Sequence, residues 1–229
     1  MRKIKISLML IILGAVTFGS WVRGADTIAV ILKVKGSVTV TKAGGNNSND
    51  VKRGYRLEEG DKLITGTQSF VALRFIDDAS LVRIGANSTC TIQGRKDQKE
   101  IVKNIMVEVG TIVTRITNQK GRFQVATPTS VASVKGTEWT TDVRATFGAR
   151  FFIALGLVEI SSDGGTVTAN PGETVIVTTK DSEPVVRPTI EGEIPEVDEI
   201  EEIEEEFEFE FENEDGQKKT LKFKAIKKG

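Results

Sequence analysis

The chain of 229 residues has no histidine, one cysteine, one tyrosine and five prolines. Each scarcity closes off some chemistry. Without histidine there is no imidazole acid or base, no His-based triad and no histidine metal ligand. One cysteine, Cys90, forms neither an internal disulfide nor a cysteine-rich metal site. Tyr55 is the only tyrosine, so catalysis would have to rest on carboxylates, hydroxyls or lysines. No cofactor or metal is expected. The length suits one domain with tails and is ample for a packed core.

The balance of 31 basic and 32 acidic residues conceals a strong asymmetry. Residues 1–190 carry 25 basic and 17 acidic side chains, residues 191–215 carry 15 acidic and no basic ones, and residues 216–229 carry 6 lysines and no acid. Blocks of opposite sign pair with each other or with a partner.

Arg2, Lys3 and Lys5 precede an uncharged stretch from Ile6 to Val22, densest from Leu8 to Leu13. A basic start followed by an apolar run predicts a secretory signal over residues 1–25, and hence a periplasmic or envelope location. The run is also just long enough for an uncleaved anchor, so contact with a membrane depends on whether it is removed.

From residue 26 to 180 the chain reads as short strands rich in Val, Ile, Thr and Phe. They include Ile28–Leu32, Phe70–Phe75, Leu81–Ile84, Ile101–Val109, Thr111–Ile116, Phe123–Ala126, Val131–Val134, Trp139–Val143 and Ala149–Leu155. Glycine and asparagine turns separate them, and no window holds a helical apolar stripe. Gly36, Gly60, Gly85, Gly110 and Gly136 recur at intervals of 24, 25, 25 and 26 residues. The fold class is therefore all-β, with a coiling, solenoid-like sheet as one arrangement that this spacing suggests.

Two stretches carry a family resemblance. The first is Gly60-Asp61-Lys62-Leu63-Ile64-Thr65-Gly66 followed by Val71 to Leu81, which includes Asp77-Asp78. The second runs from Phe123 to Trp139 through Thr127-Pro128 and Gly136-Thr137. In that order they resemble the signatures of FecR-type domains, and the likeness extends over residues 28–180. The resemblance implies an all-β exported domain in a signalling or cell-envelope protein, not an enzyme. Well-known members control a cytoplasmic sigma factor through an N-terminal segment. Only Met1 to Lys5 precede the apolar run here, so that role is not carried over.

The motif residues have structural readings. Gly60 suits a tight turn and Asp61 can accept hydrogen bonds from it. Pro128 makes Thr127-Pro128 a rigid corner. Gly136-Thr137 reads as a bulge or a close crossing beside Trp139. Asp61, Asp77 and Asp78 could be oxygen ligands for a hard cation, but adjacent aspartates are more often a solvated loop. Glu108, Glu138 and Glu159 do not define a carboxylate pair. Arg74, Arg83, Arg115, Arg122, Lys135 and Arg144 form a candidate basic strip. The strip lacks the interleaved aromatics of a nucleic-acid groove, and a basic strand face of this kind is either solvated surface or a docking face for an acidic element.

That element follows. Pro184, Pro188 and Pro195 mark residues 181–196 as a linker, and Val197, Ile200 and Ile203 at helical spacing predict an acidic helix over 197–206. Strict alternation then predicts a hairpin over 206–225, with Phe209 opposite Phe223 and Glu210 opposite Lys222. Phe207, Phe209, Phe211, Leu221 and Phe223 would share one apolar face, which either covers the chain's own β domain or docks an envelope protein. The expected function is a non-enzymatic binding or signalling component of the cell envelope acting through protein–protein contacts. The alternative is a structural or adhesion module that binds envelope polysaccharide. No nucleic acid is expected.

Overall fold

The computed structural model describes residues 26–97, 100–116, 119–134, 136–198, 207–212 and 218–223, and these contain strands and no helix. The first strands are β1 (Thr27–Lys35), β2 (Val38–Thr41), β3 (Ser48–Asp50), β4 (Arg56–Glu58) and β5 (Asp61–Thr65). The middle holds β6 (Phe70–Phe75), β7 (Leu81–Ile84), β8 (Thr89–Asp97) and the long β9 (Glu100–Arg115). Then follow β10 (Phe123–Ala126), β11 (Val131–Val134), β12 (Glu138–Arg144) and β13 (Gly148–Leu155). The domain closes with β14 (Val158–Ser162), β15 (Gly165–Ala169), β16 (Glu173–Val177) and β17 (Val185–Pro188). A separate pair is β18 (Phe207–Glu212) and β19 (Lys218–Phe223).

Seventeen strands are hydrogen-bonded into one sheet that folds into two layers sharing β9. The first layer runs β4-β1-β6-β7-β9-β12-β13-β16-β17. The second runs β3-β2-β5-β8-β9-β10-β11-β14-β15. All pairings are antiparallel except β9 with β10. After β9 the chain lays hairpins alternately in the second and first layers. The glycine spacing does not mark one repeated unit. Gly36, Gly60 and Gly136 take positive φ at or between strands, whereas Gly110 lies inside β9.

Gly110 is where β9 changes layers. Residues before it pair with β8, and Gly110 to Arg115 pair with β12. Its φ is 109°, and a Cβ there would stand 2.1 Å from Ser88 Oγ. Only glycine accommodates both demands. The expected strands Ile101–Val109 and Thr111–Ile116 are therefore one continuous element.

Alternation explains the layering. Val38 and Val40 point inward while Thr39 and Thr41 are half-exposed. Phe123 of the second layer meets Phe75 and Trp139 of the first edge-on, with centroids 5.6 and 6.1 Å away. Cys90 sits fully buried in the same core, and burial pushes its thiol up to about 12.

The stretch read as a linker proves to be structured. Val185–Pro188 is the last strand of the first layer, paired with β16. Proline is tolerated there because an outermost strand has one side with no ladder to complete. Of the expected helix over 197–206, residues 197–198 are irregular and the rest lie outside the described residues, as do the N-terminal segment 1–25 and Lys135.

The hairpin forms in a different register from the one expected. Phe209 opposes Leu221, Phe207 opposes Phe223 and Glu208 opposes Lys222. The expected and observed registers differ by two residues. Because side chains alternate with period two, the pattern excludes a one-residue slip but is indifferent to a two-residue one. Cysteines introduced at 209 and 221 should crosslink readily, and cysteines at 209 and 223 poorly. Cys90 can stay, since its thiol is buried and inert. Preferred crosslinking of 209 to 223 in peptide mapping would restore the other register.

Candidate docking face

The outer face of the first layer is built by the residues of each strand that point away from the core. Val30, Phe70, Ala72, Val113 and Phe152 occupy such positions. They are buried, yet they lie outside the core cluster. Basic residues stand among them: Arg74 opposes Leu81, which opposes Arg115, and Arg83 opposes Val113 in the next row. Arg74 is held below its ordinary value by burial.

One row across this face is strongly polar. Ile176, Arg150, Asp142 and Thr111 are successive ladder partners on β16, β13, β12 and β9, and Gly85 N donates to Thr111 O at the row's far end. Asp142 is 1% exposed. It accepts from Thr111 Oγ1 at 2.9 Å, Arg144 Nε at 2.9 Å and Arg150 NH2 at 2.8 Å. Three donors on one carboxylate satisfy a charge that would otherwise be costly to bury. Arg150 also lies over the Phe147 and Phe152 rings, 4.0 and 5.4 Å from their centroids.

The acidic segment 189–198 is tied to this layer at two places, the β16–β17 end and the Gly85–Lys35 end. Glu193 anchors its start. Arg187 donates to both its oxygens at 2.8 and 2.6 Å, Thr174 Oγ1 at 3.1 Å, and the Ile190 N–H at 2.7 Å. The Arg187 fork holds the Glu193 carboxyl down to about 2. A depressed carboxylate stabilises its contacts above the ordinary carboxylate range and loses them only as pH falls through about 2, so this anchor stays ionised in neutral and mildly acidic media. Further along, Val197 Cγ2 lies 3.2 Å from where a Cβ on Gly85 would sit, so the missing side chain of Gly85 is the notch that receives it. Lys35 Nζ, at the end of β1, pairs with Asp198 Oδ2 at 2.6 Å. The basic strip thus includes Arg74, Arg83, Arg115 and Arg144 as expected and gains Arg150 and Arg187. Arg122 falls outside it, just ahead of β10 in the second layer.

The motif residues lie elsewhere, inside the domain. Gly60 turns with φ 81° beneath Ala43. Asp61 is fully buried, accepting from Glu58 N and Lys42 Nζ, each at 3.0 Å. Thr65 Oγ1 donates to Gly85 O at 2.6 Å and accepts from Ser88 N at 2.9 Å, while Gly66 N donates to Ser37 O at 2.9 Å. Thr127 closes the β10–β11 turn around Pro128, accepting from Ser130 N at 3.0 Å. Gly136 takes φ 67°, and Thr137 O accepts from Ile116 N. The register shifts between Glu138 and Trp139, which is the bulge expected near this step.

Asp77 and Asp78 are not a solvated loop. Lys103, fully buried on β9, donates to Asp77 Oδ2 at 2.7 Å and Asp78 Oδ2 at 2.8 Å. The same Nζ reaches Lys120 O at 2.9 Å. Asp78 also accepts from Ser80 N and Lys120 N. The turn is therefore pinned to the β9–β10 crossing, and its carboxylates neutralise a lysine where a cation was considered. No cluster able to hold a metal ion occurs among the described residues.

The protein-family comparison bears on the part of the chain that holds these motifs. The model of the FecR protein family matches residues 61–155. This segment is a FecR domain. No curated protein matches the chain. Two crystal structures of a protein named provisionally as an anti-sigma factor, from Parabacteroides distasonis ATCC 8503, are similar at 14% and 13% identity, each with a TM-score of 0.46. Each similarity covers 56% of this chain and 59% of the other.

Within the FecR domain, Lys103 is the residue that sequence reasoning missed. A lysine in an apolar strand looks like surface, and the two aspartates that neutralise it lie about 25 residues earlier. The alternation Ile101, Lys103, Ile105, Val107 was the available signal, since it puts Lys103 on the inward face.

Proposed function

We propose that this chain is an exported, non-enzymatic component of the bacterial cell envelope that regulates or signals through protein–protein contacts. The FecR family is regulatory rather than enzymatic. The observation that carries the reading is where the FecR signatures lie. Asp61, Thr65, Asp78, Thr127, Thr137 and Trp139 are all buried and serve the fold. Recognition is left to the exterior, where this chain has a charged face and a C-terminal extension with Phe207, Phe209, Phe211, Leu221 and Phe223 at alternating positions. The polysaccharide alternative has one feature in its favour, a cleft of about 210 Å³ at Thr127, Thr129, Ser130, Ser162 and Asp163. Its hydroxyls suit a sugar, but its volume is below the range of about 300–1,000 Å³ typical of ligand pockets.

The test is crosslinking in envelopes, followed by capture and mass spectrometry, with the full chain and with a chain ending at residue 198. Ending there keeps β17 and the segment anchored by Glu193, which a cut at 181 would remove. The full chain should capture an envelope protein that the shortened one loses. Equal capture by both would remove the hairpin from the interface. Retention of the full chain in the cytoplasm would end the envelope reading.

A further inference from the structure

The segment 189–198 has the features of a ligand more than of a linker. Its contacts are graded: a many-bonded anchor at Glu193, an apolar side chain in the Gly85 notch, and a half-exposed ion pair at Asp198. Exposed pairs such as Lys35–Asp198 hold weakly and are screened by salt. On the same layer, the buried Arg150 Nε donates to nothing among the described residues, while its NH2 is engaged by Asp142. The sequence also repeats what the groove grips. Glu193-Ile194, Glu196-Val197, Glu199-Ile200 and Glu202-Ile203 are acidic–apolar pairs in steps of three. Such a chain can present the same chemistry to a groove in more than one register.

We propose that the outer face of the first layer, from Arg187 across Arg150 and Gly85 to Lys35, is a docking groove for an extended acidic–apolar segment of a partner protein, and that residues 189–198 occupy it in cis. Binding of the partner requires the cis segment to yield the notch and the Lys35 end. The charge fits: the groove is flanked by arginines and a lysine, and the occupant carries Glu193, Glu196 and Asp198. The proposal rests on the protein-contact reading above but concerns a surface separate from the hairpin.

The probe is a fluorescent synthetic peptide with the sequence of residues 189–206, measured by anisotropy against full chains. One chain carries Glu193→Ala, Val197→Gly and Asp198→Ala to loosen the cis segment. It should bind the peptide at least tenfold more tightly than the unmodified chain, more weakly at higher salt. Adding Gly85→Leu should abolish that gain by filling the notch. A peptide of scrambled order and equal charge should bind at least tenfold more weakly. Equal binding by loosened and unmodified chains, or of the two peptides, overturns the proposal. If the loosened chain melts below assay temperature, the single variant Asp198→Ala, which removes only the exposed ion pair and keeps the Glu193 anchor and the Gly85 notch, takes its place. That variant should still bind the peptide more tightly than the unmodified chain, and equal affinity of the two overturns the groove. Partner capture lost on removing residues 199–229 would stand under either outcome, so the two readings fail separately.

Discussion

Replacing Lys103 with methionine is expected to lower unfolding free energy by about 3–5 kcal/mol, the range for breaking a buried ion pair from one side. Methionine matches the shape of the lysine stem, so little packing is lost. What is lost is the group that neutralises Asp77 and Asp78, whose side chains are 6% and 0% exposed. Burial pushes the Asp77 carboxyl up, and the nearby Asp78 charge adds to this against the bond from Lys103. Burial also acts on Asp78, but hydrogen bonds from Lys103, Ser80 and Lys120 outweigh it and hold that carboxyl down. Asp78 therefore contributes stability above its unfolded value, lost as pH falls through its folded one. Without Lys103 both carboxyls should rise, so the variant should recover part of its deficit on mild acidification while the unmodified chain does not. Urea unfolding at two pH values reads both effects. Adding Asp77→Asn and Asp78→Asn should restore part of the loss, because amides need no counter-charge. A Lys103→Met chain within about 1 kcal/mol of the unmodified one would show that the charges are solvated after all.

The contrast between Lys103 and the strands around it shows what could be read from sequence. Phe70–Phe75, Leu81–Ile84, Phe123–Ala126 and Val131–Val134 were bounded correctly because β-branched and aromatic residues alternate there and turn residues stop them. Asp61–Thr65 was not among the expected strands because two of its three inward positions, Asp61 and Thr65, are polar. Their partners, Lys42 and Ser88, lie about twenty residues away, so the periodicity that marks a strand is absent locally. Thr89–Asp97 was missed for a related reason: Cys90 and Ile92 are its inward residues, set among threonines and glutamine. At the candidate site the sign of the interaction was legible, a basic face and an acidic segment. Its geometry was not. Arg150 and Arg187 join the strip through ladder pairing with Asp142 and Thr174, and no local spacing encodes that. The notch at Gly85 looked like one more turn glycine, yet it is defined by a side chain 112 residues later.

The second large effect concerns the contact between the layers. Trp139→Ala should cost about 3–5 kcal/mol, the range for emptying a large aromatic site. Trp139 is 1% exposed, meets Phe123 of the opposite layer edge-on at 6.1 Å, and donates its indole N–H to Thr141 Oγ1 at 2.9 Å. Phe123 in turn meets Phe75 at 5.6 Å, so three rings join the two layers. Two separable losses are involved, ring volume and a buried donor. Trp139→Phe should keep most of the ring and remove the donor together with its need for Thr141, and so cost well under half of the alanine change. Thr141→Val leaves the indole N–H buried without an acceptor, at about 1–3 kcal/mol. In urea titrations the midpoint should fall while the slope stays constant, because the layers share β9 and unfold as one body. A split transition in Trp139→Ala would mean that the rings, rather than β9, make the layers cooperative. A loss of less than about 1 kcal/mol would mean that the layers close over the vacated site, and the cross-layer stack would then have no special place in the core.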